Sequence, residues 1–196
     1  MNKTDVKELH FITHIVNLPS ISRLGIISRN KAIRDDIQFE DVSEPGVQDR
    51  RIGKKIPGTT KEVHDYANFY FDAHNPMLSA RRLRNNEICV LRINPDILNL
   101  KGVIVTDRNA ARGCWFKSVA EGLPLLDKDK IYATFWLHED YLEQERHKGI
   151  KCAEILVPEC VESGYIVGAY VANRIALDAF TNVSSLAVEI KSDFFF

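Results

Sequence analysis

The sequence predicts an α+β domain, a mostly antiparallel sheet with helices alongside. Short β-branched runs outnumber helix-like ones, and the helices fall among them irregularly instead of alternating with strands one for one. Neither GxGxxG nor GxxxxGK[ST] occurs, so a doubly wound nucleotide-binding sheet would lack its phosphate loop. At 196 residues the chain can bury one sizeable core but not two, and residues 1–196 are expected to form a single domain.

Residues 8–15 read as the opening strand. Asn17 then stands at an N-cap position, Pro19 in the first turn of a short helix, and Gly25 at its end. Residues 26–28 form a brief extended piece. From about residue 35 to 60, charges mix with Pro45, Gly46, Gly53, Pro57 and Gly58 without a clear period. That pattern predicts a long surface loop, with one helical turn over residues 47–52. A loop of such length inside a compact domain is more often functional than decorative. Residues 66–71 are strand-like, and 76–84 predict a basic helix with proline at a permitted first-turn position. Strands are expected at 87–93, 102–106, 151–157, 166–171 and 185–190, and helices at 129–133, 139–147 and 173–180.

Composition narrows the classes. Apolar residues make up 45% and charged residues 27%, which excludes a disordered chain. Lys and Arg total 26 against 27 Asp and Glu, a formal charge of -1. A protein that coats duplex DNA through its phosphates is more basic, so any nucleic-acid contact must come from a local patch. The cysteines (Cys89, Cys114, Cys152 and Cys160) include no CxxC pair, so zinc spacing and a disulfide framework are both absent. Cys89, Cys152 and Cys160 lie in apolar strand-like runs and read as buried thiols. The opening MNKTDVKELH lacks a signal peptide's apolar stretch, and no run approaches the ~20 apolar residues of a membrane span. The expected place is the cytoplasm, without membrane association.

Glu154 is the strongest catalytic candidate on local physics. In a strand over 151–157, alternation puts Cys152, Glu154 and Leu156 on one face and Ala153, Ile155 and Val157 on the other. With both faces largely apolar, an ionised carboxylate costs several kcal/mol unless it is paired or lines a cleft, on the order of the known penalties. A solvated glutamate on a strand edge is the competing reading. The run Gln48-Asp49-Arg50-Arg51-Ile52-Gly53-Lys54-Lys55 places four cations on a glycine-bearing loop. Such a cluster can grip a pyrophosphate, and equally can be a solvated charge run. Arg81, Arg82 and Arg84 with Tyr66, Phe69, Tyr70 and Phe71 suit single-stranded nucleic acid, whose bases stack on rings, or are a core strand followed by an exposed helix face. His10 and His14, four apart, have no third ligand spaced nearby, so no metal site is expected. His64 and Asp65 point to opposite faces if both lie in a strand, and no nucleophile elbow occurs.

Several pieces, nearly end to end, resemble the DarT family, the toxins of DarT–DarG toxin–antitoxin systems. They are Phe11-Ile12-Thr13-His14-Ile15 with Asn17-Leu18, Val47-Gln48-Asp49-Arg50-Arg51, and His64-Asp65-Tyr66-Ala67-Asn68-Phe69-Tyr70-Phe71. Next come Asn75-Pro76-Met77-Leu78, Thr106-Asp107-Arg108-Asn109-Ala110-Ala111, Ala133-Thr134-Phe135-Trp136 and Ala153-Glu154-Ile155-Leu156-Val157. Each alone is modest; in this order and spacing they are jointly specific. The last strand and the tail Phe194-Phe195-Phe196 also look like the family's ending.

The resemblance implies an ADP-ribosyltransferase fold related to the poly(ADP-ribose) polymerases, a split, mostly antiparallel sheet with flanking helices. It implies transfer of ADP-ribose from NAD, as co-substrate, to a base in single-stranded DNA, with no metal. The family's catalytic pair matches Arg51 and Glu154. Its NAD contacts match Phe11, Ile12, Thr13, Ser20, Ser28 and Arg51, and residues 33–53 correspond to the element that closes over NAD. Residues 109–154 correspond to the substrate-recognising region, with DNA contacts at His74, Asn75, Met77, Leu78, Thr134, Phe135 and Trp136. A macrodomain antitoxin of the DarG kind is the implied partner. Departures from the thymine-modifying branch at Asn68, Asn75 and residues 112–116 lean slightly towards guanine as the target. Phe11 stands where some relatives carry histidine, so an NAD contact there would use backbone or stacking. The competing functions are an NAD glycohydrolase, a transferase acting on RNA or protein, and a non-catalytic nucleic-acid-binding module.

Overall fold

The structure is a computed structural model that describes residues 1–196. After β1 (Leu9–His14) comes α1 (Leu18–Leu24), closed by Gly25 at φ 78, where a Cβ would lie 2.3 Å from the Val161 carbonyl oxygen. Only glycine permits that turn. β2 (Ile26–Ile27) leads into α2 (Arg29–Arg34), whose Lys31 N–H donates to the Ser28 hydroxyl as its N-cap. α3 (Pro45–Arg51) stands in the long excursion before β3 (Tyr66–Tyr70), α4 (Pro76–Ser79) and β4 (Ile88–Ile93). β5 (Ile104–Thr106), β6 (Phe116–Ser118), α5 (Val119–Gly122) and α6 (Lys128–Ile131) follow. The chain finishes with α7 (Tyr141–Lys151), β7 (Glu154–Pro158), β8 (Cys160–Val161), β9 (Ile166–Val171), α8 (Arg174–Thr181) and β10 (Val188–Ile190).

Eight strands form one sheet in the order β10-β9-β4-β1-β3-β7-β5-β6, antiparallel throughout except for β9 with β10. β1 pairs with β4 along its whole length, from Leu9 with Ile93 to His14 with Ile88. Against β3 it keeps a single register pair, His10 with Tyr70. The sheet therefore splays between β1 and β3, the split anticipated above. Leu9, Phe69, Leu91, Ile155 and Phe180 meet in the main core on one side of the sheet. Ile12, Leu78, Val90 and Tyr170 belong to a smaller cluster. No helix is long and apolar enough to cross a membrane.

Several expected boundaries move. α2 was not anticipated, and the basic helix over 76–84 stops at Ser79, with a 3-10 turn at Arg82–Arg84. Asn17 precedes α1 but does not cap it by its side chain; that amide bonds Thr13 and the backbone of Glu40 instead. The strand expected from residue 151 begins at Glu154, because α7 continues through Lys151 and Cys152 is its C-cap. Cys152 and Glu154 thus share no strand face, although Glu154 and Leu156 do. β6 and α5 are too short to carry a recognisable period.

Glu8, just before β1, ties three strands together. It accepts hydrogen bonds from His10 Nε2 (3.1 Å), Tyr170 Oη (2.9 Å) and Arg92 Nε (2.8 Å). Burial alone would raise its pKa, but these donors outweigh it and hold the carboxyl at about 2, below its ordinary 4.5. Its stabilising contribution is therefore complete above pH 4.5 and lost as pH falls from there towards 2. Urea denaturation should show Glu8→Gln less stable than the parent at pH 7, the gap narrowing steadily across that acid window. A gap independent of pH would refute the assignment.

Candidate active site at the split in the sheet

Where β1 and β3 part, a cavity of about 530 Å³ opens, within the usual range of ligand sites. β1 contributes Phe11, Ile12 and Thr13 to its wall, β3 contributes Tyr66, Asn68 and Tyr70, and α3 contributes Arg51. Glu154 opens β7, in register with Tyr70 on β3 and with Thr106 on β5, and is fully buried.

Arg51 and Glu154 meet. Arg51 Nη2 donates to Glu154 Oε1 at 2.5 Å, and the Ala110 N–H donates to Oε2 at 3.1 Å. The same guanidinium nitrogen donates to Asn109 Oδ1 (3.0 Å), which also accepts from the Ala111 N–H (2.9 Å). Behind the carboxylate, the Glu154 N–H donates to Thr106 Oγ1 (3.2 Å). Lys54 Nζ pins this turn through the carbonyls of Ala110 (2.6 Å) and Arg112 (2.5 Å). Burial works against the Arg51 charge, but Glu154 beside it raises the pKa, so the guanidinium stays protonated. Its Nε is sealed from solvent without a partner. A buried donor without a partner is uncommon in a native structure.

Two further side chains frame this pair. Burial, then the Glu154 charge, pushes the Tyr70 hydroxyl well above its ordinary pKa, so it remains neutral. Burial, then Arg29 and Arg51, lowers the His64 pKa, and its Nε2 lies 2.9 Å from Gln48 Oε1. The result is a fully buried carboxylate with defined hydrogen bonds, set behind a fixed positive charge that itself lines a ligand-sized space. Such an arrangement can stabilise a developing cation or receive a proton.

The expected residues divide between this cavity and other places. Phe11, Ile12, Thr13, Ser20, Arg51 and Met77 line it. Ser28 does not: it is buried and its hydroxyl caps α2. Asn75 and Leu78 are sealed, with Asn75 Oδ1 accepting from the Met77 and Leu78 N–H groups and its amide donating to the Asp72 carbonyl. Their side chains are therefore structural, holding Met77 in place. His74 stacks on Phe196 with centroids 4.3 Å apart, and Trp136 rests against His74 at 5.9 Å, both outside the cavity wall. Thr134 and Phe135 are exposed on the same segment.

The four cations of residues 50–55, readable as a phosphate grip or as a solvated charge run, separate. Arg50 and Arg51 line the cavity, whereas Lys54 clasps the 110–112 turn and Lys55 pairs with Glu62. One helical turn followed by a tight bend points successive side chains in different directions, so the run is not one phosphate grip. Of the other basic patch, Arg81 reaches the cavity while Arg84 pairs with Glu40 and Glu87. Asn109, the Ala110 N–H and Thr106 are site residues that local sequence patterns did not single out, while His64 and Tyr70, weighed there in other roles, frame the pair. The turn after β5 carried the only usable signal, since its residues fall opposite Glu154 once the strands are paired.

Residues 10–196 match the family model described as "DarT: ssDNA thymidine ADP-ribosyltransferase, DarT". A DNA ADP-ribosyl transferase–DNA ADP-ribosyl glycohydrolase fusion protein of Thermosipho africanus (strain H17ap60334) is 28% identical over 178 residues, 86% of this chain and 43% of that protein. The chain thus spans less than half of that curated relative. The solved structure of Thermosipho africanus DarTG in complex with ADP-ribose superposes with a TM-score of 0.82 at 26% identity, covering 97% of this chain and 51% of that one. Thermus sp. 2.9 DarT in complex with ADP-ribosylated ssDNA gives 0.81 at 23% identity, covering 100% and 99%, and bears on the fold alone.

Removing one member of the buried pair strands the other. Arg51→Ala should destabilise the protein by about 3–5 kcal/mol, read by urea denaturation at pH 7. Adding Glu154→Gln to that variant should recover part of the loss. No recovery in the double variant would mean that the cost comes from lost packing, not from an unpaired charge.

Proposed function

The chain belongs to the DarT family, and from that premise we propose that it is a transferase that moves ADP-ribose from NAD to a base in single-stranded DNA, with residues 1–196 acting as one catalytic domain. The observation that carries this reading is the contact of Arg51, which lines a ligand-sized cavity, with Glu154 fully buried directly behind it. The cations on the cavity wall, Arg50, Arg51, Arg81 and Arg112, support an anionic, acceptor-rich occupant such as a dinucleotide.

NAD supplies the ADP-ribosyl group and a cationic nicotinamide that leaves as a neutral molecule. The bond from ribose C1′ to nicotinamide breaks while a base nitrogen bonds to C1′, and the base gives up a proton. Glu154 orients the ribose hydroxyls and stabilises positive charge on the sugar, as carboxylates do in glycoside hydrolysis. It then accepts the base proton as general base. Arg51 holds the phosphates or polarises the base, with Asn109 fixing its guanidinium. Phe11, Ile12, Thr13 and Ser20 form the NAD side of the cavity, and Met77 faces the acceptor. A single-stranded acceptor avoids the cost of extracting a base from a duplex, in keeping with a formal charge of -1.

Guanine is slightly favoured over thymine by the departures at Asn68 and residues 112–116, since Asn68 and Arg112 both line the cavity. Asn75, being sealed, adds no weight. The biological role that follows is a toxin, countered by a macrodomain antitoxin that removes the modification.

Mass spectrometry of single-stranded oligonucleotides incubated with NAD tests the reading. An added ADP-ribosyl group on strands containing G, absent from strands lacking it, is the expected result; modification confined to T-containing strands would reverse the base preference. Glu154→Ala should slow transfer by about 100-fold or more. NAD loss without a heavier strand would make the protein a glycohydrolase, and labelled RNA or protein would redirect the acceptor. An oligonucleotide that binds but is never modified, with NAD intact, would leave only a binding module.

A further inference from the structure

Residues 133–139 take part in no backbone–backbone hydrogen bond, yet they are fastened at both ends by side chains. At one end, Lys151 is 1% exposed, and its ammonium donates to Asp72 Oδ2 (2.5 Å) and to the carbonyls of Ile131 (2.9 Å) and Ala133 (2.8 Å). All three of its donors are engaged, one of them by the segment's own Ala133 carbonyl and one by the carbonyl of Ile131 just before it. Asp72 lies two residues beyond Tyr70, and Lys151 three residues before Glu154, so this clasp joins the two strands that build the site. At the other end, buried His147 directs Nε2 at the Lys130 carbonyl (2.9 Å). A carbonyl only accepts, so that nitrogen carries the proton, and Nδ1 is left to accept from His138 Nε2 at 2.8 Å.

Between these clasps the segment presents Phe135 and Leu137 to solvent at 75% and 70% exposure. Trp136 folds back beneath them, 5.9 Å from His74 and from the Lys151 ammonium. His74 leads directly into Pro76 and Met77, which line the cavity, as do Arg112 and Lys148. An aromatic face held in place, beside cations at the cavity wall, fits the stacked bases and phosphates of a single strand. Holding the loop in advance spares the ordering cost at binding.

We propose that Lys151 and the His138–His147 pair are positioning residues that fix residues 132–139 as a platform for nucleotides flanking the modified base, with Phe135 as its stacking face. This rests on the DNA-modifying reading above, but can be scored without catalysis. Binding of a fluorescent single-stranded oligonucleotide is measured by anisotropy, beside KM for the oligonucleotide, kcat, and NAD affinity by calorimetry. His138→Ala, at an exposed position, and Phe135→Ala should each weaken oligonucleotide binding and raise its KM about 5-fold or more, with kcat and NAD affinity unchanged. Lys151→Met should do the same more strongly. His147→Gln, which retains one donor and one acceptor, should keep the parent's affinity, whereas His147→Ala should lose it. If Lys151→Met fails to fold, His138→Ala and the two His147 variants decide the matter. Unchanged oligonucleotide affinity in those variants, or an equal loss of NAD affinity, overturns the proposal. A parent protein that binds the oligonucleotide without modifying it would sink the catalytic reading and leave the platform standing or falling on the anisotropy.

Discussion

The buried contact between Arg51 and Glu154 is the constraint to which the surrounding structure answers. A carboxylate without solvent is costly unless it is paired and its remaining lone pairs are occupied. Here one oxygen takes the guanidinium and the other takes the Ala110 N–H. The guanidinium in turn needs Asn109, and the turn that supplies Asn109 and Ala110 needs Lys54. The long excursion between α2 and β3 contributes Arg51 and Lys54, and the turn after β5 contributes Asn109 and Ala110. Two segments with little regular structure of their own are thereby locked onto one strand end.

The sheet makes room for this arrangement by failing to pair where pairing would be expected. β1 is bound along its length to β4 and touches β3 at one position only. Glu8 and its three donors stabilise the first half, and the β3–β7–β5 ladder the second. Apolar side chains bridge the halves on the core side. The opposite side opens into the cavity, so chemistry-bearing groups from both halves converge without any of them lying on a flexible tip.

A formal charge of -1 means that attraction for an anionic strand cannot come from the molecule as a whole. In the proposed function it would come from cations at the site: Arg50, Arg81 and Arg112 line the same cavity as Arg51, as does Lys148, which is itself paired with Glu145 at 2.7 Å. Cations away from that cavity, such as Lys55, Arg84 and Lys128, are paired with Glu62, with Glu40 and Glu87, and with Asp5. Exposed pairs of this kind add little stability.

The sequence by itself determined the α+β class, most strand positions and the anomaly of Glu154 in an apolar run. Period-2 apolar runs mark strands whichever way they pair, and a glutamate within an apolar run is anomalous wherever that run ends up. It could not determine that the run over 151–157 begins as the end of a helix, since Lys151 reads as a surface residue until Asp72 and two carbonyls are brought to it. Nor could it separate Arg51 from the cations around it, or show that Ser28, Asn75 and Leu78 serve the scaffold. Those outcomes depend on which distant groups meet, such as Asn109 with Arg51 across 58 positions and Glu154 with Arg51 across 103. Only the tertiary structure decides them, because burial and hydrogen-bond partnership are properties of the packed chain and not of any local stretch of it.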